Sequence, residues 1–278
     1  MPNSIKLFFY LAIGFIIFSG IFVFVVEGKN SEDNISENKT KILPPQVGEE
    51  LVYEVSYGFI SIGTIRLQVI EPIEKNKIKL HRVKCFIDSY NLPFVNVHFV
   101  MYSELDDELW SNFFSFSNTG DKNNRWYVEY DFKYKKNNIE VKHGNLDTKK
   151  IHLKLTDTIS IKYQDGLSLF YYARMNLNSL QNQSLATYMN EKKLNTSINF
   201  TDQNTQTEID AVKYPIATKY FNGNIEYKGI YGLTGKYEGW FSRDNAAVPI
   251  RAKMKVILGS VNIELMSWKR KNWTPPKI

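Results

Sequence analysis

Beyond residue 47, apolar and polar side chains alternate with a period of two along most of the chain, so each such run can bury one face of a pleated strand and wet the other. Leu51, Tyr53, Val55 and Tyr57 share one face, against Val52, Glu54 and Ser56. Gly58 marks a turn into Ile65, Leu67 and Val69, and the two runs predict a hairpin. The pattern returns at Val95, Val97, Phe99 and Met101. It is clearest where Trp126, Val128, Tyr130, Phe132 and Tyr134 oppose Arg125, Tyr127, Glu129, Asp131 and Lys133. Ile151, Leu153 and Leu155 against His152, Lys154 and Thr156 predict another strand with one buried face. Strands are also predicted from Thr207 to Tyr214 and from Ile216 to Tyr227, the latter folded at Asn222-Gly223, a pair suited to a type I′ turn. In the last third, Lys236 to Ser242 turns through Arg243, Asp244 and Asn245 into Val248 to Val256. Gly259 then turns that strand into Val261 to Trp268. Pro249 lacks a ladder amide and belongs at a strand start or an edge.

One stretch departs from this rhythm. Between Asp165 and Met175, Leu167, Phe170, Tyr171 and Arg174 fall at i, i+3, i+4 and i+7, which predicts a helix of about three turns. Asp165 suits its amino-terminal end and Arg174 its carboxy-terminal end. Together the elements predict a mainly β protein: an antiparallel meander curled into a half-barrel or barrel, with one short helix plugging the concave face.

Ahead of this body, Leu7 to Val26 is uncharged and long enough to cross a bilayer as a helix. Lys6 and the α-amino group precede it and Glu27, Lys29, Glu32 and Asp33 follow, so the only net positive flank is N-terminal and the remainder is expected to be exported. Residues 1–28 read as a signal anchor, or as a signal peptide if cut after Gly28. Residues 29–46 are polar, free of aromatics and closed by Pro44 and Pro45, the composition of a flexible tether. Residues 47–270 form a single β-rich domain and 271–278 a basic tail that guards an edge strand.

Little in the chain points to chemistry. His81, His98, His143 and His152 lack the close spacing that aims two imidazoles at one metal, and no nucleophile elbow or phosphate-binding glycine loop is present. Cys85 is the single cysteine and sits within a strand pattern, as a small buried hydrophobe does. Glu104, Asp106, Asp107 and Glu108 lack calcium-loop spacing and read as a solvated turn. The net charge of +6 could suit nucleic acid, but export excludes that partner.

Three blocks carry a family resemblance. GEELVYEVSYGFISIGTIRLQV, QDGLSLFYYAR and GWFSRDNAAVPIRAKMKVILGSVNIEL together resemble the DUF3108 family of exported bacterial proteins. Asp165, Ser168, Tyr171 and Arg174 stand in the second block, and Trp240, Asp244, Pro249 and Gly259 in the third. The resemblance implies an envelope protein whose curled sheet and helix plug are similar to those of the lipoprotein carriers LolA and LolB. It implies no catalytic residue and no cofactor.

The expected function is therefore non-catalytic: binding of an apolar or amphipathic ligand, such as a lipid or acylated chain, on a concave face rich in aromatics. Trp126, Val128, Tyr130, Phe132 and Tyr134 are the candidate face. The alternative is a structural or assembly protein that pairs through an exposed strand edge with an envelope partner. Either would work on the periplasmic side of the cell envelope, tethered to the inner membrane if Leu7 to Val26 is retained.

Overall fold

A computed structural model describes residues 41–91, 96–120, 125–179, 181–225, 233–256 and 260–278. The predicted membrane segment Leu7 to Val26, the tether up to residue 40 and Gly259 lie outside the described residues. The described strands are β1 (Glu50–Tyr57), β2 (Ile60–Lys75), β3 (Ile78–Ser89), β4 (His98–Leu105), β5 (Ser111–Asn118), β6 (Trp126–Lys133), β7 (Asn138–Asn145) and β8 (Ile151–Thr158). A helix, α1 (Ser168–Met175), leads to β9 (Asn182–Met189), β10 (Lys192–Thr207), β11 (Ile216–Ile225), β12 (Leu233–Ser242), β13 (Pro249–Val256) and β14 (Ser260–Lys269).

All fourteen strands join one antiparallel sheet in the order β8-β7-β6-β5-β4-β3-β2-β1-β14-β13-β12-β11-β10-β9. The chain starts in the middle, zigzags out to β8, crosses to the opposite edge at β9 and zigzags back until β14 pairs with β1. There are thus two meanders where the sequence pattern predicts one, because the Tyr57↔Val261 and Glu50↔Lys269 pairings join residues from opposite ends of the chain. α1 lies on the crossover.

The ladder does not close. β8 and β9 are its two edges, and side chains near them link the two arms: Lys193 Nζ of β10 lies 2.7 Å from Asp157 Oδ1 of β8, and Tyr130 Oη of β6 donates to Glu191, in the turn after β9, at 3.0 Å. The crossover covers the β9 edge, since Gln164 N donates to the Ala186 carbonyl at 2.9 Å and Tyr188 N to the Gln164 carbonyl at 2.8 Å. The same segment touches the other arm, where Ser111 N donates to the Tyr163 carbonyl at 3.2 Å.

Two apolar clusters fill the curl. The larger holds inward residues of β1 to β7, β13 and β14, together with Leu167 and Tyr171 from the helix region. The smaller gathers Leu169, Ala173 and Leu177 against Leu185, Ile198 and Phe241. The helix therefore presents one face to each arm of the sheet, and five of its eight residues are buried.

Several expectations change. The helix is two turns, not three: Asp165 Oδ1 accepts Leu167 N at 2.7 Å and Ser168 N at 2.8 Å, while Ser168 Oγ accepts Asp165 N at 2.7 Å. These side chains take the amides that another helical turn would use. Residues 208–215 are a loop, and β10 ends at Thr207. Ile151 and Leu153 of β8 are 47% and 43% exposed, because no layer covers the end of the sheet. Glu104 is buried, bonded by Tyr102 Oη at 2.9 Å, and does not belong to a solvated turn.

The basic tail guards no edge, since β14 sits mid-sheet. It folds back instead: Ala217 N donates to the Pro276 carbonyl at 2.9 Å, and Trp273 is buried.

Asn222-Gly223 is no turn either. Both residues lie within β11, with Gly223 opposite Ile198 and Tyr237. Glycine is needed there for proximity, because a Cβ would come within 2.3 Å of the Ser197 carbonyl oxygen and of Tyr237 Oη. We expect Gly223→Ala to lower stability by about 1 to 3 kcal/mol in urea titrations. An unchanged midpoint would show that the two strands part freely.

Candidate functional site

The three blocks that carry the family resemblance meet where α1 plugs the curl. Glu49 enters just ahead of β1 and receives both ends of the Arg174 guanidinium, Nη1 to Oε1 at 2.5 Å and Nη2 to Oε2 at 3.0 Å. Arg270, at the end of β14, also donates to Glu49 Oε2. Arg174 Nε donates to the Ala246 carbonyl at 3.0 Å. All three charged side chains are almost fully buried, so one carboxylate is matched to two guanidiniums away from water. Burial by itself would raise the Glu49 pKa, but the hydrogen bonds and charges of Arg174 and Arg270 outweigh it and hold the carboxyl below its ordinary value. Arg174 thus serves this latch from the last turn of α1.

The remaining helix residues are held as firmly. Asp165 accepts from Ser103 Oγ at 2.5 Å and from Ser111 Oγ, in addition to the two amides at the start of α1. Its burial raises its pKa even though those four donors favour the charged form. Tyr171 is buried, with its hydroxyl pKa pushed up by desolvation.

In the third block, Asp244 Oδ1 accepts from Ser242 Oγ at 2.8 Å, Ala246 N at 3.0 Å and Ala247 N at 3.1 Å, and its Oδ2 accepts from Trp273 Nε1 at 2.8 Å. That corner shapes the loop whose Ala246 carbonyl meets Arg174. Pro249 opens β13, as a residue without an amide should, and its carbonyl accepts from Tyr53 Oη at 3.1 Å. Trp240 alternates onto the outer face, where Lys253 Nζ lies 5.6 Å from its ring centre. Asp165, Ser168, Tyr171, Arg174, Asp244 and Pro249 therefore gather around the plug, and Trp240 stands apart.

Sequence reasoning passed over four partners: Glu49, Arg270, Ser103 and Ser111. Only Glu49 left a trace, as the acidic residue of the first block. The serines are ordinary strand residues until the fold brings them to Asp165.

Above the plug the two arms leave a cavity of about 220 Å³. Its wall is formed by Leu67, Met101 and Ile263 on the sheet, Phe170 and Ala173 on the helix, and Phe221 on the far arm, among other apolar side chains. Tyr53 brings a hydroxyl that is already bonded to Pro249. Cys85 also lines it, and burial pushes its thiol pKa up to about 12, leaving it protonated and inert.

The β6 residues do not line this space. Tyr130 and Phe132 are buried against Tyr188 with edge-on ring contacts, Trp126 packs on Phe116, Val128 borders the larger cluster, and Tyr134 Oη donates to the Ser111 carbonyl at 2.6 Å. They are core. Among the described residues no group of three His, Cys, Asp or Glu could hold a metal ion.

The fold and site define a class: a curled, open antiparallel sheet of barrel-like form, plugged by one helix that a buried ionic latch secures. Within that class the chain belongs to the DUF3108 family, described as a protein of unknown function, which matches residues 52–266. It is similar in structure to a β-barrel-like protein of the domain of unknown function DUF1849 from Brucella abortus, with TM-score 0.51 and 10% identity over 83% of this chain and 100% of that one. More distant likenesses are to an exported protein with a YmcC-like fold from Bacteroides fragilis, by its description, and to a candidate lipoprotein from Parabacteroides distasonis. The first has TM-score 0.36 at 10% identity, covering 83% of this chain and 100% of that one. The second has TM-score 0.35 at 11% identity, covering 84% and 100%. No curated protein sequence matches the chain.

Proposed function

We propose that this protein is a non-catalytic component of the cell envelope that holds an apolar or amphipathic ligand, a lipid or an acylated chain, in the cavity between α1 and the curled sheet. The observation that carries this reading is the wall of that cavity: about 220 Å³ bounded mainly by apolar side chains, with Glu238 and Arg251 as its charged residues and the phenols of Tyr53 and Tyr237 already bonded to the Pro249 and Ser197 carbonyls. Such a space stays free of ordered water and takes up hydrocarbon. Its size suits one acyl chain, with the polar end of the ligand outside. The uncharged run from Leu7 to Val26 supports delivery to the periplasmic side and retention at the inner membrane.

The test compares two full-length proteins purified identically. Organic extracts of wild type should contain a stoichiometric acyl species by mass spectrometry, and Ala252→Phe, which fills the cavity, should lose at least tenfold of it. Lipid around the N-terminal segment cancels in the comparison. Equal extracts from two folded proteins would end the ligand reading.

A further inference from the structure

The two edges of the sheet are not equivalent. β9 is covered by the backbone of the crossover, through the Gln164 bonds to Ala186 and Tyr188. β8 is hydrogen-bonded on one side only, to β7, and it ends the sheet. The far end of β8 is engaged where Asp157 meets Lys193, which leaves Ile151 to Lys154 as the open stretch, and all four of these residues are exposed. A bulge at His152 interrupts the alternation: Ile151 pairs with Gly144 and Leu153 with His143, neighbours on opposite faces of β7, so Ile151 shares its face with Lys154 and Leu153 takes the other. Lys149 and Lys150 lie just ahead and are also exposed. Among the described residues none of these four basic side chains has an ion-pair partner.

We infer that this edge takes up an extended segment of an envelope protein that mixes acidic and apolar residues. An open edge offers a row of unpaired N–H and C=O groups that another strand satisfies. Charge then sets the partner: carboxylates meet Lys149, Lys150, His152 and Lys154, and apolar side chains meet Ile151 and Leu153. A second copy of this edge would set basic residues against basic ones, which disfavours self-pairing. Lipid cannot satisfy ladder groups, so a bilayer is a poor occupant. This inference stands apart from the acyl ligand, because β8 does not line the cavity.

The experiment uses the full chain in detergent and two capped synthetic peptides, one of alternating Glu and Val and one of alternating Lys and Val. Hydrogen exchange of residues 151–155 should slow at least tenfold with the Glu peptide and remain unchanged with the Lys peptide. The protection should weaken as salt is raised. In Lys149→Glu/Lys150→Glu/Lys154→Glu, whose exposed positions leave the fold intact, the preference should reverse. Leu153→Pro should abolish protection by either peptide. Equal protection by both peptides, protection that maps elsewhere, an unreversed preference in the triple variant, or protection that grows with protein concentration in the absence of peptide would each overturn the proposal.

Discussion

Glu49→Ala should be the most damaging single truncation in the chain, lowering stability by about 3 to 5 kcal/mol. The reason is not the loss of one attractive pair. Arg174 and Arg270 would keep their charges inside the protein with no carboxylate to meet them, and desolvated, uncompensated charge carries the larger penalty. Glu49→Gln should fall between wild type and Ala, since the amide oxygen still accepts one guanidinium proton while its charge is gone. Urea midpoints of the three proteins check the order, and a Glu49→Ala midpoint within 0.5 kcal/mol of wild type, an arbitrary line at about the size of an ordinary surface substitution, would refute the latch.

The pH dependence follows from the depressed Glu49 pKa. A carboxyl whose folded pKa lies below its unfolded value contributes stability above the unfolded value, here 4.5, and loses it as pH falls through the folded value. Wild type should therefore weaken over that acid range more steeply than Glu49→Gln.

The second large effect is expected at Asp165. Asp165→Ala leaves the hydroxyls of Ser103 and Ser111 and the amides of Leu167 and Ser168 without their acceptor inside the core, a cost of about 3 kcal/mol. Asp165→Asn should be far milder. Its oxygen can still accept the two amides, and its NH₂ can face serine hydroxyls that rotate to accept.

The two carboxylates also differ in the sign of their pH response. Burial raises the Asp165 pKa in the folded state, so its contribution is fully present below 3.8 and is lost as pH rises through the folded value. Asp165→Asn removes that loss. Stability profiles of the two proteins should converge at low pH and separate as Asp165 ionises, and parallel profiles would show that Asp165 does not titrate in the fold.

Glu49 and Asp165 also mark how far the sequence could be read. Strands β1, β2, β6 and β13 were legible because alternation is local: each residue two positions on returns to the same face whatever lies beyond it. The position of α1 was legible for the same reason, and its shortening depends on Asp165 and Ser168, which are three residues apart. Asn222-Gly223 misled because a turn-forming pair is also a pair with little bulk. The Ser197 carbonyl and the Tyr237 side chain, both pressed against Gly223, distinguish the two uses.

The latch was not legible, since Glu49 and Arg174 are separated by 125 residues and Glu49 and Arg270 by 221. Nor was the cavity, whose walls come from both arms of the sheet, while the aromatic run that starts on β6 lies outside those walls. The amino-acid sequence alone determined the strand character of the body, its short helix and the apolar segment ahead of it, because those depend on neighbours within a few residues. Which strands became edges, which charges met in the interior and where empty space remained were decided by the tertiary structure, because each depends on how two meanders close on one another across β1 and β14.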